Sequence, residues 1–174
     1  MADWHIVGRG PSLLDLTPDD FGPGPVITLN QSIDQVRALD LPSPIFSMFK
    51  DGCGIGLPHG TLLGPGHDCA LAPEGTLVLS HMESRHCRPA WAPRIVLDVE
   101  EMGLPWFYQS APVAVAFAIA RGAGRIRMFG FDVLRGDTRR VVGSELIDDG
   151  DTGYMEAAKR AIAVAGRAGV ELVW

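Results

Sequence analysis

The stretch SAPVAVAFAIARGAGRIRMFGFD, residues 110–132, changes its period halfway. Ser110 reads as an N-cap, Pro112 stands in the first turn, and Gly122 marks the exit, so the first half is a helix. That helix is apolar on every side, which predicts burial instead of a solvent-facing stripe. The second half, RIRMFGFD from Arg125 to Asp132, reads as the strand it feeds. A buried helix running into a strand is a unit of an α/β sheet.

The same unit recurs on both sides. Towards the N-terminus, WHIV (Trp4 to Val7) reads as a first strand, followed by a short helix near Ser12 to Asp15. PVITLN (Pro25 to Asn30) is a second strand, QSIDQVRAL its helix, and PIFSMF (Pro44 to Phe49) a third strand. TLVLSH (Thr76 to His81) and RIVLDV (Arg94 to Val99) extend the set. Towards the C-terminus, GYMEAAKRAIAVAGRAG is an alanine-rich helix and VELVW a last strand. Runs of β-branched residues without alternation fit strands buried on both faces of a parallel sheet. The expected fold is a single α/β domain over residues 1–174, a Rossmann-like three-layer α/β/α sandwich with a mainly parallel sheet. Residues 51–73 are rich in Gly, Pro and His and fit no regular element. A connection of that length is expected to be functional or mobile.

Composition narrows the function. The 174 residues are 47% hydrophobic, enough for one core, and carry a net charge of −6 with lysine nearly absent. This argues against a general nucleic-acid binder, which needs a basic stripe, but leaves room for a small anionic ligand held locally. Cys53, Cys69 and Cys87 are an odd number without paired spacing, as expected for reduced thiols in the cytoplasm. MADWHIVGRG lacks the pattern of a signal peptide. The longest apolar run, Ala111 to Ala120, contains a proline and is too short to span a bilayer.

The loop after the first strand, GRGPSL, carries the first chemical signal. In a parallel sheet, ligands gather beyond the carboxyl ends of the strands. A loop there that opens a helix offers backbone N–H groups and the positive end of a dipole. Gly8 and Gly10 permit close approach, Pro11 suits a first turn, Ser12 adds a hydroxyl, and Arg9 adds a fork for phosphate oxygens. Leu13 stands where a dinucleotide fingerprint needs its third glycine, and the second strand ends in Asn30 instead of an acid. Both count against NAD, and the P-loop pattern is absent. A tight turn with no ligand is the alternative.

VGRGPSL, TLNQSI and YQSAPVAVAFAIARGAGRIRMFGFDVL, taken in order, resemble one group of proteins. It contains bacterial sialyltransferases that use CMP-sialic acid and the archaeal 6-hydroxymethyl-dihydropterin pyrophosphokinases. The resemblance covers roughly residues 1–35 and 107–134. It implies that Gly8, Gly10, Pro11 and Ser12 form a phosphate loop, to which Arg9 adds its own fork, and that Asn30, with Gln31 beside it, contacts a nucleotide. Ser110 would sit near phosphate or ribose, and Asp132 would close the Gly-x-Asp strand as a catalytic candidate. Arg9 stands where the sialyltransferases usually have Asn, and Ala111 replaces a Gly. Their catalytic histidine follows the Gly-x-Asp strand, whereas here no histidine follows His86.

Other candidates come from the residues themselves. Asp148, Asp149 and Asp151 offer a base or hard oxygen ligands for magnesium; otherwise they form an acidic solvated loop. Asp151 is carried as a catalytic candidate. So is His81, which would leave a strand at the ligand-bearing edge of the sheet. Cys53, His59, His67, Cys69, His81, His86 and Cys87 cluster in sequence without zinc-ligand spacing, so no metal site is assigned. Trp106, Phe107 and Tyr108 could stack on a base.

The expectation is a cytoplasmic nucleotide-binding transferase of the sialyltransferase-like group, using a CMP-sugar or similar nucleotide-sugar donor. A magnesium-dependent diphosphotransferase and a non-catalytic nucleotide-binding or assembly protein are the alternatives. The implied partner is a nucleotide or nucleotide sugar, with no nucleic acid and no membrane span, and homo-oligomerisation is left open.

Overall fold

A computed structural model describes residues 2–49, 77–80, 94–96, 99–104, 109–142, 145–148, 150 and 153–174. Seven strands form one sheet: β1 (Ala2–Val7), β2 (Val26–Leu29), β3 (Ile45–Phe49), β4 (Leu77–Ser80), β5 (Arg94–Val96), β6 (Ala123–Phe129) and β9 (Glu171–Val173). Their order is β5-β4-β3-β2-β1-β6-β9, and every neighbouring pair is parallel. Three helices, α1 (Ser32–Ala38), α2 (Ser110–Ala120) and α3 (Gly153–Ala168), complete an α/β fold. A separate antiparallel hairpin pairs β7 (Arg140–Val142) with β8 (Glu145–Ile147).

The two-residue period of the strands sends side chains into two clusters. Trp4, Ile6, Ile27, Leu29, Ile126 and Met128 pack with α2 and α3. Val7, Val26 and Phe129 meet Leu13, Val36 and Val141 in the second cluster. The all-round apolar reading of α2 holds, since Val113, Ala114, Val115 and Ala118 have no exposed surface. Its partner α3 buries an alanine stripe, Ala157, Ala158, Ala161 and Ala165. Small side chains on that stripe let the two helices approach closely. Phe117 of α2 meets Trp4 and Phe46 in a three-ring contact, with centroids 5.8–6.1 Å apart.

Boundaries shift in places. Ser110 is the first helical residue, and Gln109 occupies the N-cap with no side-chain cap bond. Strand β6 begins at Ala123 and ends at Phe129, and Asp132 opens a 3-10 turn that runs to Arg135. The hairpin ends just before Asp148, the one described residue of the expected acidic loop, which lies outside any helix or strand. The last strand is short, and Trp174 beyond it is 49% exposed. Among the described residues no helix is long and apolar enough to cross a membrane.

One buried titratable group lies in the second cluster. His5 is fully buried between Phe21 and Phe129, at centroid distances of 5.5 and 6.1 Å. Its Nε2 donates to the Gly22 carbonyl at 3.1 Å, and its Nδ1 has no hydrogen-bond partner. Burial pushes its pKa below the ordinary value of 6.5, with Arg127 adding to the effect, against opposing contributions from the Gly22 bond and Asp3. Below about pH 6.5 the unfolded chain takes up a proton that the folded chain refuses. His5 therefore supports the fold above that pH, and the support is lost as pH falls towards the folded value. Wild type is expected to show a lower urea midpoint at pH 5.5 than at pH 7.5, and His5→Gln a smaller difference. Equal pH differences in the two proteins would remove His5 as the cause.

Candidate functional site

The strand order places a break in the chain's direction of travel. From β1 the chain steps outward through β2 to β5, then returns to lay β6 on the other side of β1. The chain leaving β1 goes on to β2 on one side and the chain leaving β6 goes on to β9 on the other, both from the carboxyl edge of the sheet, where α/β proteins bind ligands.

At this point the two exits pack on each other. Gly8 N–H donates to the Phe129 carbonyl (2.8 Å) and Gly10 N–H to the Gly130 carbonyl (2.7 Å). Ser12 donates its N–H and its hydroxyl to Asp132 Oδ2, at 3.1 and 2.8 Å. Leu13 N–H donates to Gly10 O at 3.0 Å. Four donors of the expected phosphate loop are thus engaged within the protein. Gly8 and Gly10 are small because the β6 exit lies against them, and the carboxylate under the loop belongs to Asp132. Asp132 acts here as an anchor for Ser12 and does not line the neighbouring cavity.

The loop contributes Arg9 to a cavity of about 190 Å³. Around Arg9 stand Asn30 from the end of β2, Ser110 from α2, Phe131 after β6, Arg139 and Arg140 from the hairpin, and Tyr154 from α3. No carboxylate lines it among the described residues. The first residues of α2 and α3 both lie on its wall, so two helices turn their positive ends to the same space. In a chain of net charge −6, three arginines border this one cavity.

The arginines are held differently. Arg9 donates to Gln31 Oε1 and to the Tyr154 hydroxyl. Arg140 donates to that same hydroxyl at 3.0 Å. Both guanidinium carbons lie against the Tyr154 ring, 5.7 and 5.8 Å from its centre. Val141 N–H donates to Arg9 O at 2.6 Å and ties the hairpin to the loop. Arg139, by contrast, makes a two-pronged contact with Asp137, at 2.9 and 2.7 Å. That contact, with the Arg139 backbone N–H, holds Asp137 down to about 2 and raises Arg139.

Of the sequence-predicted binding residues, Gly8, Arg9, Gly10, Asn30 and Ser110 line this cavity. Pro11 and Ser12 lie in the 3-10 turn beyond it, and the buried Gln31 is reached through Arg9. Asn30 adopts φ 54°, a left-handed conformation that asparagine tolerates, so its identity has a backbone reason as well. Asp148 braces its loop by accepting from Thr138 and from Gly150 N–H. His81, Asp149, Asp151, the Cys/His-rich middle and Trp106 to Tyr108 lie outside the described residues. Sequence reading passed over Arg139, Arg140 and Tyr154. The RR pair of the hairpin was the available signal, hidden among acidic neighbours.

A magnesium ion would need hard oxygen donors, and the cavity wall offers guanidinium groups, amides and hydroxyls. Among the described residues no three His, Cys, Asp or Glu side chains gather. The described donor set does not fit the metal, and Asp149 and Asp151 lie outside it. Compared with family models, curated proteins and solved structures, the chain matches none.

Proposed function

We propose that the chain binds a nucleotide through its phosphate in the arginine-lined cavity, and that it is a transferase using a CMP-sugar or similar nucleotide-sugar donor. The observation that carries this reading is the convergence of Arg9 and Arg140 on one point, the Tyr154 hydroxyl, at the carboxyl edge of a parallel sheet. Two helix N-termini add to the potential there. The resemblance of VGRGPSL, TLNQSI and the α2–β6 segment to sialyltransferases supports the donor class. The finer reading of the fold, a Rossmann-like three-layer sandwich, accords with apolar clusters on both faces of the sheet. The same reading places the chain in the cytoplasm, in keeping with its unpaired cysteine spacing.

In such a transfer the bond from the sugar to the phosphate oxygen breaks, and its electron pair stays on that oxygen. The acceptor hydroxyl loses its proton as the new bond forms. Arg9, Arg140 and the helix N-termini would stabilise the charge that grows on the departing phosphate. Asn30 and Ser110 would orient the nucleotide. Asp132 is committed to Ser12, which leaves His81 and Asp151 as the base candidates. That commitment also favours a second reading, a nucleotide-binding protein without catalysis.

Calorimetric titration with CMP, CDP, UDP, GDP and ATP, each with and without magnesium, tests the proposal. We expect selective binding that does not require magnesium and is abolished in Asn30→Asp. That substitution puts a negative charge in the cavity while keeping a residue type suited to φ 54°. Binding to none of the five overturns the nucleotide reading. Release of CMP from a CMP-sugar separates the enzyme from the non-catalytic binder.

A further inference from the structure

We infer that the cavity selects its ligand by the nucleobase, with the side-chain amides of Gln109 and Asn30 reading the edge of the base; this rests on the nucleotide reading above. The two amides reach the cavity wall from separate segments, the residue before α2 and the residue after β2. Neither amide has a hydrogen-bond partner within the protein among the described residues. Gln109 occupies the N-cap of α2, where a side chain commonly bonds the first turn, and it makes no such bond. Asn30 is fixed through its backbone, whose N–H donates to the Met48 carbonyl at 2.9 Å. Its side chain is therefore not needed to hold the end of β2.

The chemistry of the amide matches that of a base edge. A primary amide sets a donor beside an acceptor, and it carries no charge. The edges of the bases carry the same two functions on neighbouring atoms, so one amide can bond two of them at once. The rest of the wall suits the flat faces of such a ring. Leu29 adjoins Asn30, Ala111 lies two residues after Gln109, and Phe131 lines the same space. Phe131 is held close to the loop, since a Cβ on Gly8 would lie 3.2 Å from its Cε2. Apolar walls with two amides fit a planar ring with a polar rim. A sugar, with hydroxyls around its whole rim, would leave several of them against Leu29, Ala111 and Phe131. This readout is independent of the arginines, because it involves neutral groups alone.

The test titrates the full chain with CMP, UMP, AMP, GMP and ribose 5-phosphate, which keeps the phosphate and lacks the base. CMP is expected to bind at least about tenfold more tightly than ribose 5-phosphate, the worth of one or two hydrogen bonds. In Gln109→Leu, which removes the amide and no cap bond, most of that advantage is lost while ribose 5-phosphate changes by less than about threefold. Gln109→Glu exchanges a donor for an acceptor at nearly the same size. It should shift the ratio of CMP to UMP affinity by about threefold or more, a ratio in which the phosphate cancels. A near-ultraviolet spectrum matching wild type shows that each variant is folded. Another base in the lead, with its lead moved by the Gln109 variants, would uphold the inference and change the donor class. Four nucleotides of equal affinity, all tighter than ribose 5-phosphate, would overturn the inference and leave the nucleotide reading standing. So would a ranking that the Gln109 variants leave untouched, or an equal loss of ribose 5-phosphate in Gln109→Leu. Ribose 5-phosphate bound as tightly as every nucleotide, or binding of none of the five, would remove both.

Discussion

Arg140→Ala is expected to weaken nucleotide binding by roughly 10- to 100-fold, the usual cost of losing a hydrogen bond to a charged group. Arg9→Ala should do the same. Both side chains reach one hydroxyl from different segments, so each prepares the same point for an anion. Their effects are therefore coupled, and the double variant should fall short of the sum of the single losses. Arg139→Ala supplies the contrast. Its guanidinium already donates twice to the Asp137 carboxylate, so its removal should change affinity by less than threefold or so. Calorimetric titration of wild type and the four variants with the best-binding nucleotide reads all of this. Equal losses for Arg139 and Arg140 would show that the cavity acts through its net charge alone, and the two-arginine focus would have to be given up.

The fold was largely legible because a buried parallel sheet writes itself into sequence as uninterrupted apolar runs. Ile6 and Val7, and Val26 and Ile27, are apolar because both faces of their strands are covered. Helix α2 was equally plain, having no polar face at all. The hairpin was not legible for the opposite reason. Its strands have three residues each, and all of β8 is exposed, so no period accumulates; among the described side chains of the hairpin Val141 alone is buried in the core. The cavity suffered with it, since Arg140 comes from that hairpin. Gly8, Gly10 and Asp132 were legible as positions that matter, but not in their physical role. A glycine that admits a phosphate and a glycine that admits a neighbouring backbone look the same in sequence. Only the pairing of β1 with β6 shows which approach these glycines serve.

That close approach carries the largest stability effect we expect. Gly130→Ala should cost on the order of 3–5 kcal/mol, a large part of the 5–15 kcal/mol that holds a typical domain together. Gly130 has φ 68°, where an L side chain costs about 1–2 kcal/mol by itself. A Cβ there would also lie 2.9 Å from the carbonyl carbon and oxygen of Gly8, and those backbone atoms cannot rotate away. The contact is reciprocal, because a Cβ on Gly8 would lie 2.6 Å from the Gly130 oxygen. Gly136 is the control: it has φ 90° but nothing within 4 Å of a Cβ. Gly136→Ala therefore isolates the conformational cost, about 1–2 kcal/mol, from the clash. Urea unfolding of both variants measures the difference. Equal losses would mean that the two strand exits can separate freely. A larger loss at Gly130 would show that their contact is rigid, and nucleotide affinity should fall with it, since Arg9 stands between Gly8 and Gly10 and moves wherever that loop moves.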